Sequence, residues 1–254
     1  VNRRNLTFLL PLATFIVICF LWEVIVRASG WSVQVFPGPL VVVSSLWELI
    51  TNGTLLQHTV ASLFRVTAGF YLAAIIGIPL GMVLGRIMFI RNAFNPLIQF
   101  LRPISPLAWI PLAVLWFGIG DPPAIFLIFM ACFFTLMVST MIAVQSISPI
   151  YFQVGSNFGF SRYEVVTKIV VPAVIPEIVT TLRITVAIAW LVVVAAEMIA
   201  VQSGLGYLIL DSRNALRMDY VMVGMITIGA IGLLLDYIML RLSRVDCAFW
   251  GNFQ

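Results

Sequence analysis

Charge is what this sequence has least of. Only 9% of its 254 residues are Asp, Glu, Lys or Arg, against about 25% in a typical soluble domain. Lysine occurs once, at Lys168, and histidine once, at His58. Each shortage excludes something. A chain that is 62% hydrophobic with a mean hydropathy of +1.10 reads as an all-α polytopic membrane protein. Its three cysteines, Cys19, Cys132 and Cys247, show no CxxC spacing, so they form neither a disulfide framework nor a metal site and read as packing residues. His58 lacks ligand partners in the sequence and reads as an interfacial or capping residue. No GxxxxGK[ST] loop is present, so the chain itself is expected not to hydrolyse ATP. Lys and Arg (14) outnumber Asp and Glu (10), but they lie scattered at span ends, which argues against a nucleic-acid partner.

What is abundant is long apolar runs. A spanning helix needs about 20 mostly apolar residues, and about six stretches qualify: Leu6–Val26, Val60–Leu84, Pro96–Phe117, Ala124–Ala143, Ile178–Val201 and Tyr220–Leu242. Arg3 and Arg4 before the first run resemble a signal peptide, but the run is long enough to span and reads as retained. Leu40–Ile50 is amphipathic and too short to cross. Residues 1–55 thus form a first span with an outer amphipathic loop, 56–245 the transmembrane core, and 246–254 a short tail. In the second run, Gly77, Gly81 and Gly85 make a small-xxx-small ladder for close helix approach, and Pro79 is expected to kink it. Pro103, Pro106 and Pro111 argue against one straight third helix.

Arg and Lys near span ends set orientation. With the N-terminus inside, the cytoplasmic segments hold Arg3, Arg4, Arg86, Arg91, Arg162, Lys168, Arg241 and Arg244. Arg27, Arg213 and Arg217 fall outside. This bias places both termini and the segment Pro149–Pro176 in the cytoplasm.

That segment is the informative interruption. Pro149 stops the fourth span, and Pro172 and Pro176 are expected to delay the fifth. Between them, Ile150–Asn157 and Ser161–Val171 can each form a short helix, with Gly159 at the joint. Ser161 and Glu164 have capping-box spacing. Phe158, Phe160 and Tyr163 beside Arg162 have the composition of an interface centre.

Here the chain resembles the permease subunits of type I binding-protein-dependent ABC importers. Their signature is Glu-Ala-Ala, three residues, Gly, nine residues, Ile, two residues, Pro. Gly159, Ile169 and Pro172 fall at that spacing, while Gln153-Val154-Gly155 stands in place of the first triplet. Further blocks resemble the branch for aliphatic sulfonate, taurine, nitrate and bicarbonate: Ser62–Val66 with Gly77–Gly81, Arg102–Trp109, and Trp190 with Ala196–Met198 and Gly204–Tyr207. The likeness runs from about Phe36 to Ser243. It implies a pair of permease subunits, each docking its elbow (Gln153, Gly155, Phe158, Gly159, Phe160, Ser161, Arg162, Tyr163, Ile169, Pro172) into a cytoplasmic ATPase subunit that carries ATP and Mg. It further implies a periplasmic or lipoprotein binding protein that delivers a small anion, and a bacterial inner-membrane location.

Ionisable residues inside spans cost about 2.5–3.5 kcal/mol each on insertion scales, so they are functional candidates. Glu197 is expected to line the cavity or to pair across the bundle, held by Arg65 or Arg213. Arg65 is a candidate for attracting an anion near the outer mouth. Ser105, Pro106 and Trp109 are candidates for the pathway wall, because irregular backbone at membrane depth survives only where buried or lining a cavity. Glu23 and Asp236 read as packing partners for arginines, and Arg183 as snorkelling. The alternative of a secondary transporter or channel without an ATPase leaves the cytoplasmic segment unexplained. An intramembrane enzyme needs a nucleophile or metal constellation that one isolated histidine does not supply. A purely structural subunit is the third alternative.

Overall fold

The computed structural model describes the backbone of residues 3–32 and 34–250, and the side chains of residue 10 and of residues 13–32 and 34–242. Every described element is helical. The order is α1 (Arg3–Ser29), α2 (Pro39–Thr51), α3 (Thr54–Arg86), α4 (Met88–Leu101), a 3₁₀ turn at Pro106–Trp109, then α5 (Ile110–Phe117) and α6 (Asp121–Gln145). There follow α7 (Pro149–Asn157), α8 (Arg162–Val165), a π turn at Val166–Val170, α9 (Val171–Ala200), α10 (Leu205–Asn214) and α11 (Met218–Trp250).

Among the described residues, four helical runs are long and apolar enough to cross a membrane: Thr54–Arg86, Asp121–Gln145, Arg162–Ala200 and Met218–Leu242. A fifth is the pair Met88–Leu101 and Pro106–Phe117, bent by 85°. The expected first span is helical within α1, although most of the side chains of its first turns lie outside the described residues. The bend has its cause in the sequence. Pro103, Pro106 and Pro111 remove three N–H donors within nine positions, so the expected single third span is instead two helices that begin earlier, at Met88. The sixth expected span continues as helix to Trp250, through the first part of the expected tail; residues 251–254 lie outside the described set.

The core is built on α6, which packs between α3 and α9. Gly69, Ala73, Gly77, Gly81 and Gly85 recur every four residues on α3 and face α6. A β-carbon at Gly81 would lie 2.5 Å from the Met137 carbonyl oxygen, and one at Gly85 would lie 2.9 Å from that of Met141. The backbones therefore touch, which in lipid supplies the packing contact that water would otherwise drive. Leu127, Ile128, Leu136 and Val193 fill the layer around them and are fully buried. The Trp190 indole N–H donates to the Ile228 carbonyl at 3.0 Å and ties α9 to α11. Gly81→Val is expected to lower stability by about 1–3 kcal/mol through overpacking. Gly229→Ala, inside α11 where nothing lies within 4 Å, should not lower it and is expected to raise it by about 0.5–1 kcal/mol. Thermal unfolding in detergent checks both, and equal midpoints for wild type and Gly81→Val would exclude tight α3–α6 contact.

One expectation is corrected here. Pro172 and Pro176 do not delay the fifth span, and Ser161–Val171 is not a separate short helix. Arg162–Ala200 is one run of 39 residues. Pro172 falls in the first turn of α9, and the wider turn at Val166–Val170 gives the ring room against the preceding carbonyls. At 1.5 Å per residue the run is about 58 Å long, nearly twice the ~30 Å hydrocarbon layer. Part of it must therefore project beyond the lipid, and the charged end is the one with Arg162, Glu164 and Lys168.

Candidate coupling elbow and pathway wall

The elbow is built by local rules. Helix α7 ends in a Schellman motif: the Phe160 N–H donates to the Gly155 carbonyl at 2.9 Å and the Gly159 N–H to that of Ser156 at 3.0 Å. That motif places Gly159 at φ 72, a left-handed conformation that glycine adopts without steric cost. The next helix starts with the capping box at Ser161 and Glu164. The Ser161 N–H donates to Glu164 Oε2 at 2.9 Å, and the Glu164 N–H donates to Ser161 Oγ at 3.3 Å. Lys168 Nζ donates to the same carboxylate at 2.8 Å. Together these contacts, Lys168 first, hold the Glu164 carboxyl below its usual range.

Gly155 sits inside this turn. A β-carbon there would meet Ile169 Cδ1 at 2.8 Å and Phe160 Cδ2 at 3.3 Å, so the third residue of the divergent triplet packs on the signature isoleucine. Ile169 and Pro172 are half-buried, whereas Gln153, Ser161 and Arg162 are exposed. Phe158 and Tyr163 are 75% and 77% exposed. The result is a rigid knob with two aromatic rings pointing outward.

At the other end of the bundle is an ionic clasp. Arg65 (1% exposed) and Glu197 (0%) are both buried, with Arg65 Nη1 2.7 Å from Glu197 Oε1. Arg65 Nε donates to Asp121 Oδ1 at 2.8 Å, and Nη2 lies 2.7 Å from the same oxygen. Nη1 also donates to the Ser203 carbonyl at 2.8 Å, and Nη2 to Ser203 Oγ. Four guanidinium hydrogen bonds and the second close approach to Asp121 thereby hold Arg65 in place. The other Glu197 oxygen accepts from Ser62 Oγ at 2.8 Å and from the Gly206 N–H at 3.0 Å. The start of α10 completes the clasp: the Gly204 N–H donates to His58 Nδ1 at 3.0 Å and the Leu205 N–H to Ser62 Oγ at 2.9 Å. Gly204, at φ 103, has no room for a β-carbon against the Glu197 carboxylate.

Arg65 was expected near the outer mouth, and Glu197 to line the cavity or to pair across the bundle; the structure joins the two to each other. Both lie inside the chain, because a charge in an apolar bundle is stable only when fully paired. The two are buried, and the Arg65 guanidinium is already held by Asp121, Glu197 and Ser203. Of the two arginines considered for Glu197, it is Arg65 that binds it. Ser105 is exposed, and Pro106 and Trp109 are half-buried. Pro106 and Trp109 line a hollow of about 240 Å³ together with Arg102, Phe134, Thr135 and Ile188. Asp236 pairs with Arg183 at 2.9 Å, both partly exposed, and Glu23 pairs with Arg27 at 2.6 Å. Among the described residues no group of three His, Cys, Asp or Glu is placed to hold a metal ion.

With an elbow at one end and a clasp at the other, the chain was compared with known proteins. Residues 77–245 match the model of the binding-protein-dependent transport system inner membrane component family. This chain belongs to that family. It is the membrane-spanning permease subunit of an ABC importer, and permeases of this family work with ATPase subunits and a binding protein. A putative ABC transporter permease protein of Methanocaldococcus jannaschii is 40% identical over 77% of this chain and 74% of its own length. The taurine transport system permease protein TauC of Escherichia coli is 33% identical over 96% of this chain and 91% of its own. The nitrate import permease protein NrtB of Synechocystis is 34% identical over 89% and 84%. The fold matches inward-facing structures of the MetNI methionine ABC transporter, with TM-scores of 0.65 and 0.67 at 15% and 17% identity, covering 73% and 77% of this permease and 93% and 97% of those chains.

Sequence reasoning missed Asp121 and Ser203 as members of the permease's clasp. Asp121 carried a weak signal, a lone carboxylate in the first turn of α6, where an acid is favoured. Ser203 carried none, since its role depends on a contact 138 residues away.

Proposed function

We propose that this permease forms the translocation pathway for a small oxyanion and is driven by ATPase subunits that grip its elbow. The observation that carries the reading is the knob at Phe158–Tyr163. Two exposed aromatic rings beside Arg162, on a turn fixed by a Schellman motif and a capping box, suit docking into a groove in a partner. Gln153, Gly155, Phe158, Gly159, Phe160, Ser161, Arg162, Tyr163, Ile169 and Pro172 form this coupling element, of which Gly155 and Ile169 are the internal support. ATP and Mg belong to the partner. The permease pairs with a second copy in a bacterial inner membrane, with both termini cytoplasmic, and receives its substrate from a periplasmic or lipoprotein binding protein.

The relatives named for taurine and nitrate, and one in Bacillus subtilis named for aliphatic sulfonates, support an anion. So does the hollow beside Ser105, Pro106 and Trp109, where Arg102 is the one charged residue in the lining and has no carboxylate partner among the described residues. A cation there offsets the cost of moving an anion through an apolar wall. Proteoliposomes holding the assembled importer and its binding protein should accumulate labelled taurine, nitrate or an alkanesulfonate only with ATP. Arg102→Gln should lower that uptake about tenfold, the weight of one lost charge contact, and leave ATP hydrolysis standing. Uptake without ATP, or a preference for cations, would overturn the assignment.

A further inference from the structure

The short α3–α4 turn, where Arg86 and Met88 border Phe160 and Arg162 of the elbow, carries a further feature. Leu80, Leu84, Ile90, Phe94, Leu97 and Ile98 line, with neighbouring residues of α6, a hollow of about 220 Å³ between α3, α4 and α6 with no polar residue in its lining. The very next residues, Gly85 and Arg91, line a second hollow of about 370 Å³ together with Arg86 and Gln145. No carboxylate borders it. Neither Arg86 nor Arg91 has a carboxylate partner among the described residues, and the Arg86 guanidinium lies 4.2 Å from the Phe152 ring centroid. Met88 and Phe89, 65% and 83% exposed, project beside them, as interfacial anchors do.

An apolar slot whose lining residues Leu84 and Ile90 directly precede those of a hollow bearing an uncompensated pair of arginines matches one ligand chemistry, a hydrocarbon chain bearing an anionic phosphate. Arg86 lies about 31 Å along α3 from the Arg65 clasp at 1.5 Å per residue. Arg86 and Arg91 follow the end of the apolar run Val60–Leu84, which puts the pair at headgroup depth. We propose that Arg86, Arg91 and the α3–α4–α6 slot form a specific site for one anionic phospholipid, its headgroup on the arginines and an acyl chain in the slot. In the orientation proposed above, this is the leaflet that faces the ATPase subunits. The site itself requires no particular transported substrate.

The test titrates the assembled importer in mild detergent with phosphatidylglycerol or phosphatidylcholine and counts bound lipid by native mass spectrometry. Wild type should retain phosphatidylglycerol with a preference of about tenfold or more, as two surface cations predict. The Arg86→Gln/Arg91→Gln chain should lose that preference yet keep its weak affinity for phosphatidylcholine, and Arg86→Lys/Arg91→Lys should keep most of the preference. Soluble glycerol phosphate at millimolar concentration should not displace the lipid. Equal retention of both lipids by wild type would overturn the site. Displacement by glycerol phosphate would make it a site for free anions and overturn the lipid. A double glutamine variant that loses its second permease copy instead of its lipid would assign the slot to the subunit interface and overturn it too.

Discussion

Replacing Glu197 with alanine is expected to cost the folded permease about 3–5 kcal/mol, because it strands the Arg65 guanidinium in a buried site. Stabilities of whole domains run to about 5–15 kcal/mol, so the variant should insert poorly, aggregate on extraction or be degraded. The loss has three parts. Arg65 Nη1 loses its carboxylate partner at 2.7 Å, Ser62 Oγ loses an acceptor at 2.8 Å, and the Gly206 N–H loses one at 3.0 Å. Arg65→Gln should depress uptake and basal ATP hydrolysis together, for the same structural reason. The double variant Arg65→Met/Glu197→Leu removes both charges and should recover much of the stability, as apolar replacements of buried pairs often do. Denaturation midpoints for wild type, Arg65→Met, Glu197→Leu and this double variant give the coupling between the two sites. A Glu197→Ala protein with the wild-type midpoint but no transport would show that the carboxylate acts on substrate, and the clasp would then be a pathway element.

The second large effect is expected at Gly159. Arginine there meets no steric obstacle in the chain itself, since nothing lies within 4 Å of a β-carbon at that position. It must, however, adopt φ 72, at a cost of about 1–2 kcal/mol for an L side chain. It would also project from the tip between the exposed Phe158 ring and Phe160. A truncation at an interface hot spot costs about 2 kcal/mol or more, and a bulky charge at its centre should cost at least that. Coupled uptake should therefore fall about thirtyfold or further, with membrane insertion preserved. Gly159→Ala separates the two causes, because it carries the backbone strain without the bulk and should lose far less uptake. Wild-type uptake by Gly159→Arg would show that the elbow tip does not contact the motor.

Much of the elbow was legible because its determinants are local. Ser161 and Glu164 are three residues apart, and Gly159 follows the helix it terminates by two positions. The α3 ladder was legible for a similar reason. A four-residue spacing of glycines is a surface pattern on one helix, and only close backbone contact uses it. The pathway candidates fared differently. Arg65 and Glu197 were conspicuous as charges in apolar runs, but conspicuousness does not say which way a side chain points. The structure turned both inward and left Arg102 on the open hollow, although all three look alike in the sequence.

By itself the sequence determined a multi-span helical membrane protein with a rigid aromatic elbow of a known importer family, because composition, hydrophobic run length and caps within a few residues decide those properties. Only the tertiary structure decided that Pro172 lies within a continuous 39-residue helical run, and that Arg65 and Glu197, 132 positions apart, meet in a buried clasp. The physical reason is the same in both cases. A proline's ring and a buried charge are each tolerated or expelled according to what surrounds them in space, and those surroundings come from segments far apart in the chain.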